Sequence, residues 1–234
     1  MNKNTERKYF ENIDNIDYSK YKTEIISNYS KKIELFAKVE IVGDSKVGKS
    51  SIILRATKNI FDNEIEPTVG YNFTPFTLKI DDSAIKLQLW DMCGANIYRN
   101  TLLNLFRNAV LGILVYSVND RQTFDNLENW IRNLRNVSKK RTRIILIGNK
   151  NDLKREVSYE EGKKFAEKND LPLFFELSCK DEFPEPNFLV LISILLYHDY
   201  ITHKDDNSDQ QLDYTKNESI MLEIGNKNVG RGCC

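Results

Sequence analysis

The chain has 234 residues, 41% of them hydrophobic, which suits one α/β domain with polar ends and leaves ample material for a core. Lysines plus arginines and aspartates plus glutamates number 34 each, so nothing points to bulk nucleic-acid binding. Residues 1–32 lack the apolar core of a signal peptide, and the longest apolar run, 188–197, falls short of the roughly 20 residues of a membrane span. The four cysteines (Cys93, Cys179, Cys233 and Cys234) have neither metal-ligand nor disulfide-framework spacing, which predicts a cytosolic, reduced protein.

In residues 1–32, Tyr18, Tyr21, Ile25 and Tyr29 fall at roughly helical spacing. Two readings stay open there, a short amphipathic helix and a mobile tail, with the tail preferred. Residues 33–42 read as a strand, although Glu40 stands where a central strand should be apolar, and the sequence offers no account of it. The loop Gly43-Asp44-Ser45-Lys46-Val47-Gly48-Lys49-Ser50 follows, a G-x-x-x-x-G-K-[ST] pattern leading into Ser51-Ile52-Ile53-Leu54-Arg55, the start of an apolar-faced helix. That strand–loop–helix context separates it from a chance Gly/Lys/Ser loop. Backbone N–H groups from Gly43 through Ser51 can wrap a diphosphate, Lys49 places a charge on the β- and γ-phosphates, and the Ser50 hydroxyl can ligate Mg²⁺. Lys46 adds a further charge, aimed either at the phosphates or at solvent.

Further along, residues 73–80 and 85–90 read as a hairpin around Asp81-Asp82-Ser83. Residues 112–118 and 143–147 are nearly unbroken apolar runs, as buried parallel strands require, and 173–177 is the last strand. Helices fit at 123–136 and after Ser158, where Ser158 and Glu161 have capping-box spacing. The alternation predicts a doubly wound α/β domain over 33–202, with a six-stranded, mostly parallel sheet and helices on both faces. From residue 203 the chain is rich in Asp, Asn, Lys and Gln and is expected to be disordered.

Three more motifs sit at strand ends. In Asn149-Lys150-Asn151-Asp152, the Asp152 carboxylate can accept from N1–H and the exocyclic amine of guanine. Adenine presents an acceptor there, a mismatch worth on the order of 10⁴–10⁵ in discrimination, so an ATP-using enzyme is the disfavoured reading. Ser178-Cys179-Lys180 can close over the guanine carbonyl through backbone N–H groups. In Asp91-Met92-Cys93-Gly94, Asp91 can hold Mg²⁺ through a water and the Gly94 N–H can reach a γ-phosphate, while Thr68 can add a second hydroxyl ligand. Lys49, Thr68 and Gly94 are therefore the candidate catalytic groups, and Ser50, Thr68 and Asp91 the candidate metal ligands. If both loops grip the γ-phosphate, its loss frees both.

With Thr68-Val69-Gly70-Tyr71-Asn72-Phe73, Ile85-Lys86-Leu87-Gln88-Leu89-Trp90, Leu105-Phe106-Arg107-Asn108-Ala109 and Leu114-Val115-Tyr116-Ser117-Val118, residues 36–197 resemble the small GTPases, and among them the Rab family. The resemblance implies a P-loop fold, GTP/GDP cycling with Mg²⁺, an exchange factor and effectors recruited by the GTP form. It also implies that Phe61 packs edge-on against guanine, where the plain alternative is an ordinary core aromatic. One departure matters most. Rab proteins carry Asp-Thr-Ala-Gly-Gln where this chain has Asp91-Met92-Cys93-Gly94-Ala95, so the glutamine that orients the attacking water is missing. Slow intrinsic hydrolysis follows, with a persistently GTP-loaded recruitment module as the alternative. Asn96 is a less favoured substitute. TBC-type activating proteins resemble a two-finger arrangement that supplies arginine and glutamine in trans. Of the aromatic trio that Rab effectors read, Phe73 and Trp90 match and Leu105 does not.

The terminal Cys233-Cys234 pair is not a C-a-a-X box and resembles the Rab signal for double geranylgeranylation. The tail carries four basic residues against six acidic ones, so lipid rather than a polybasic patch would hold the membrane. Its one apolar cluster, Ile220-Met221-Leu222-Glu223-Ile224, reads equally as a dock for the Rab escort protein or as a chance island. The resemblance further implies the Rab dissociation inhibitor GDI as a partner, and a place on the cytoplasmic face of an endomembrane with a cytosolic pool.

Overall fold

The computed structural model describes residues 17–26, 33–94, 109–137, 142–181, 183 and 187–202. Among the described residues, seven strands form one sheet: β1 (Thr23–Ile25), β2 (Leu35–Val42), β3 (Tyr71–Ile80), β4 (Ser83–Met92), β5 (Leu111–Ser117), β6 (Arg143–Asn149) and β7 (Phe174–Leu177). Their spatial order is β1-β3-β4-β2-β5-β6-β7. β4, β2, β5, β6 and β7 run parallel, and the β3–β4 hairpin and β1 add antiparallel pairs at one edge. The helices are α1 (Lys49–Lys58), α2 (Arg121–Asp125), α3 (Leu127–Val137), α4 (Tyr159–Lys168) and α5 (Phe188–Thr202).

β5 and β6 are buried at every position, which is why they read as unbroken apolar runs. On one face, Leu35, Ala37, Val39 and Ile41 of β2 meet Ile52 and Ile53 of α1 and Phe188, Ile192 and Leu195 of α5. On the other face, Leu114, Tyr116 and Leu146 meet Phe124 of α2, Leu127, Trp130, Ile131 and Leu134 of α3, and Phe165 of α4. The helix expected over 123–136 is two helices, broken at Asn126, whose backbone closes α2 and opens α3. The capping box on α4 forms as the spacing predicts, with Ser158 and Glu161 each satisfying the other's backbone N–H.

Six of the strands are the expected ones. The seventh overturns both readings of the amino-terminal segment for residues 17–26. Asp17 caps a 3₁₀ turn over Tyr18–Lys20, and Thr23–Ile25 pairs antiparallel with Leu78–Ile80. Tyr18 and Tyr21 pack on the core, with Tyr21 edge-on to Tyr197 of α5 at 6.5 Å between centroids. The tyrosine spacing that resembled a helix instead puts the Tyr21 ring in the seam between sheet and α5 and lays Tyr18 on the same core. The driving force is the edge of β3, whose backbone groups lack a strand on that side until β1 supplies one.

Glu40 now has an account. Its side chain is fully buried, and the Lys38 ammonium lies 3.1 Å from Oε1 while covering the Trp90 ring at 4.9 Å. Burial pushes the Glu40 carboxyl up to about 8, with Lys38 opposing the rise.

Among the described residues no helix is long and apolar enough to cross a membrane. Ala95, Asn96, Leu105, the cluster 220–224, Cys233 and Cys234 lie outside the described residues.

Candidate nucleotide-binding site

β2 has β4 on one side and β5 on the other, so the chain reverses its direction of travel across the sheet at β2. The loop after such a strand opens a crevice at the carboxyl ends of the strands. Here that loop is 43–48, and α1 starts at Lys49 immediately after it. Lys46 and Gly48 adopt left-handed backbone, with φ of 66° and 93°, which turns successive N–H groups toward one point. Gly48 is needed for a second reason: a Cβ there would meet Asn149 Nδ2 at 2.3 Å.

A cleft of about 470 Å³ lies over this loop. Ser45, Lys46, Gly48, Lys49, Ser50 and Ser51 line its phosphate end, and Thr68 and Gly94 its outer wall. Phe61, Asn149, Lys150, Asp152, Ser178, Cys179 and Lys180 line the far end. The sequence motifs are thus gathered in one place. Gly43, Val47 and Asp91 lie behind the lining. Val47 is fully buried and gives its carbonyl to Asn149 Nδ2 at 2.8 Å, while the Gly43 carbonyl accepts from Lys49 Nζ at 3.0 Å.

Lys49 Nζ also donates to the Asp44 carbonyl at 2.8 Å, so two of its three protons are committed to the loop. Burial lowers its pKa, and Asp91, Cys93 and Asp44 oppose that fall. Beside it, three oxygens converge. Asp91 Oδ2 accepts from Ser50 Oγ at 2.5 Å and from Thr68 Oγ1 at 3.1 Å, and the two hydroxyls are 3.0 Å apart. Asp91 Oδ1 is buried with no hydrogen-bond partner among the described residues. Burial raises the Asp91 pKa, against the hydroxyls and Lys49. One buried carboxylate with two hydroxyls is a hard oxygen set that fits Mg²⁺ completed by phosphate oxygens and water.

At the far end, Asn149 joins the motifs. Its Oδ1 accepts from the Lys150 N–H at 2.8 Å and faces the Cys179 thiol at 3.6 Å. Burial pushes that thiol up to about 12, so Cys179 stays neutral at the cleft wall. Ser178 Oγ accepts from the N–H groups of Lys180 and Asp181 at 3.1 and 3.2 Å, which fixes the turn. Asp152 and Lys150 stand at the rim beside the half-buried Phe61. Residues 62–67 form a wall that no motif announced, with Asp62, Asn63, Ile65, Glu66 and Pro67 facing the cleft, together with Leu153. Only their place between Phe61 and Thr68 could have signalled it. Also missed were Asn126 and Trp130, which grip the loop from the side through Asp44. Phe73 and Trp90 touch, at 5.4 Å between centroids.

A glycine-turned anion loop at the switch point of a doubly wound sheet, with a hard oxygen cluster beside it, defines a P-loop nucleotide-binding domain. The model of the Ras family matches residues 38–192. Ras-related protein RABA4c of Arabidopsis thaliana is 35% identical over 216 residues, covering 89% of this chain and 96% of the relative. Ras-related protein Rab-11B of Dictyostelium discoideum is 36% identical over 191 residues, covering 81% and 86%. Ras-related protein Rab11A of Lotus japonicus reaches 44% over 150 residues, covering 63% and 66%. The chain belongs to the Ras family and, within it, to the Rab-related small GTPases.

Proposed function

We propose that this protein is a membrane-traffic switch that binds GTP or GDP with Mg²⁺, recruits effectors in its GTP form and hydrolyses GTP slowly on its own. The convergence of five separate sequence motifs on one cleft is the observation that carries this reading. The loop N–H groups from Ser45 to Ser51 receive the α- and β-phosphates. Lys49, with one proton still free, meets the β- and γ-phosphates. Ser50, Thr68 and Asp91 hold Mg²⁺, which when bound neutralises charge shared between those phosphates. The Gly94 N–H meets a γ-phosphate oxygen. Asp152 selects guanine, Phe61 covers its edge, and Ser178, Cys179 and Lys180 close over its carbonyl.

Hydrolysis needs a water held in line with the γ-phosphate. Relatives with a glutamine at the position of Ala95 turn over at only about 10⁻⁴ s⁻¹ unaided. Ala95 has no group to orient that water. Single-turnover hydrolysis of bound GTP is expected to run at least ~10-fold faster in Ala95→Gln than in the unsubstituted protein. Equal rates would defeat the assignment to Ala95. The alternative, a permanently GTP-loaded recruitment module, rests on the same residue. Phosphate released on adding a TBC-type activating protein supports cycling, and its absence supports the alternative. An exchange factor, the escort protein and GDI complete the cycle, with geranylgeranyl groups on Cys233 and Cys234 placing the protein on the cytoplasmic face of an endomembrane.

A further inference from the structure

Asp44 occupies the second position of the phosphate loop, yet its side chain does not line the cleft. Both carboxylate oxygens are taken from the opposite side. Oδ1 accepts from Trp130 Nε1 at 2.8 Å, and Oδ2 accepts from Asn126 Nδ2 at 2.6 Å. Trp130 is buried, and Asn126 is the residue at which α2 ends and α3 begins. The two donors are four residues apart, so one helix face presents both. The Asn126 carbonyl accepts from the N–H groups of Asn129 and Trp130, which fixes the start of α3 and with it the direction of both donors. Leu127, Ile131 and Leu134 seat α3 in the core behind them. The donors are therefore held by the packed core on that face of the sheet.

What they hold is a loop with little reason to keep its shape alone. Lys46 is a side-chain-bearing residue in left-handed backbone, a conformation that favours glycine. A free loop would leave it, and a phosphate would then have to restore it at the expense of affinity. The loop's other side is held by Asn149 at the Val47 carbonyl and by Lys49 at the carbonyls of Gly43 and Asp44. Gly94 also presses on the same peptide, since a Cβ there would lie 2.4 Å from the Asp44 carbonyl carbon and the Ser45 nitrogen.

We propose that Asp44 is a positioning residue: through it, Asn126 and Trp130 at the α2–α3 junction keep the phosphate loop in its anion-receiving form and set how long nucleotide stays bound. The proposal rests on the reading of the cleft as a GTP/GDP site and adds a second route of control, from α3 rather than from the loops around Thr68 and Gly94.

The test uses the full chain loaded with a fluorescent GDP analogue, following release after excess GDP is added, with thermal denaturation of each variant alongside. Trp130→Phe keeps an aromatic ring and removes only the indole N–H. Asn126→Ala removes the other donor. Asp44→Asn exchanges the carboxylate for a neutral amide and so weakens both bonds, and combining it with Asn126→Asp puts a carboxylate back across the same pair while Trp130 still donates to an oxygen at position 44. Release about tenfold faster is expected for each single variant, with the paired swap returning toward the unsubstituted rate. Unchanged release across the series, even with lowered melting temperatures, would make the contacts merely structural and overturn the proposal. Fast release from Trp130→Phe without recovery in the swap would overturn Asp44 as the point of control. If the unsubstituted protein fails to bind GDP at all, the reading of the cleft falls, and this inference with it.

Discussion

Glu40 lies in the middle of β2 with its side chain fully out of solvent, between Trp90 of β4 and Gly112 of β5 in the strand register. Its carboxyl is raised from an ordinary 4.5 to about 8, chiefly by desolvation. The folded form therefore binds its proton more tightly than the unfolded chain. The resulting stability is complete below pH 4.5 and is lost as pH climbs toward 8, because the unfolded chain ionises first. By pH 7 the loss amounts to about 3 kcal/mol. Glu40→Gln keeps the shape and an acceptor for Lys38 but cannot ionise. Thermal denaturation at several pH values between 5 and 8 should show a falling stability in the unsubstituted protein and a flatter profile in Glu40→Gln. Parallel profiles would mean that the carboxylate finds compensation when charged.

The short strand β1 is a structural element with small individual contributions. All three of its residues are exposed, yet it is fastened at both ends: the Lys22 N–H donates to Asp81 Oδ1 at 3.1 Å and the Ile26 N–H to the Thr77 carbonyl at 3.0 Å. Tyr21 joins it to α5, and Ser83 Oγ in turn touches Tyr197 Oη at 3.0 Å and donates to Glu34 at 2.9 Å. The segment clasps the tip of the β3–β4 hairpin to the last helix. Deleting residues 1–26 is expected to cost about 2 kcal/mol, or roughly 4–8 °C in melting temperature, and to expose the β3 edge to association between copies. Calorimetry with light scattering checks both effects. A truncated protein that melts and sediments like the full chain would show that β1 contributes nothing. α2 and α3 make a related point, since a polar Asn126 splits what reads as one apolar-faced helix and turns the break to use on the phosphate loop.

Over the whole molecule, the cleft sits at the carboxyl ends of the parallel strands, and the clasp of β1 on α5 sits where the β3–β4 hairpin turns. The tail leaves from the end of α5, after Thr202. Residues 203–234 carry four basic residues against six acidic ones, so the proposed membrane attachment rests on lipid at Cys233 and Cys234. Cys233→Ser with Cys234→Ser should move the protein from the membrane pellet to the supernatant on fractionation. Continued pelleting would assign membrane attachment to another part of the chain.

The cleft was readable along the chain because its parts are local. A loop that turns backbone N–H groups inward, a carboxylate that ends a strand and an asparagine that ties two loops each need particular residues at short spacing, and Gly48, Asp91 and Asn149 reveal themselves that way. The alternation of apolar runs and helical stretches likewise carried the α/β architecture, since burial on both faces leaves its mark in every residue of β5 and β6. Residues whose roles depend on distant partners could not be read so. Glu40 becomes intelligible only once Trp90 packs beside it under Lys38, Tyr21 only against Tyr197, and Asp44 only once the α2–α3 junction delivers Asn126 and Trp130, some 82 and 86 positions away. Chain order records which groups are present, but long-range packing decides which of them meet, and those meetings make a buried acid tolerable, a loose segment a strand and a loop aspartate a handle.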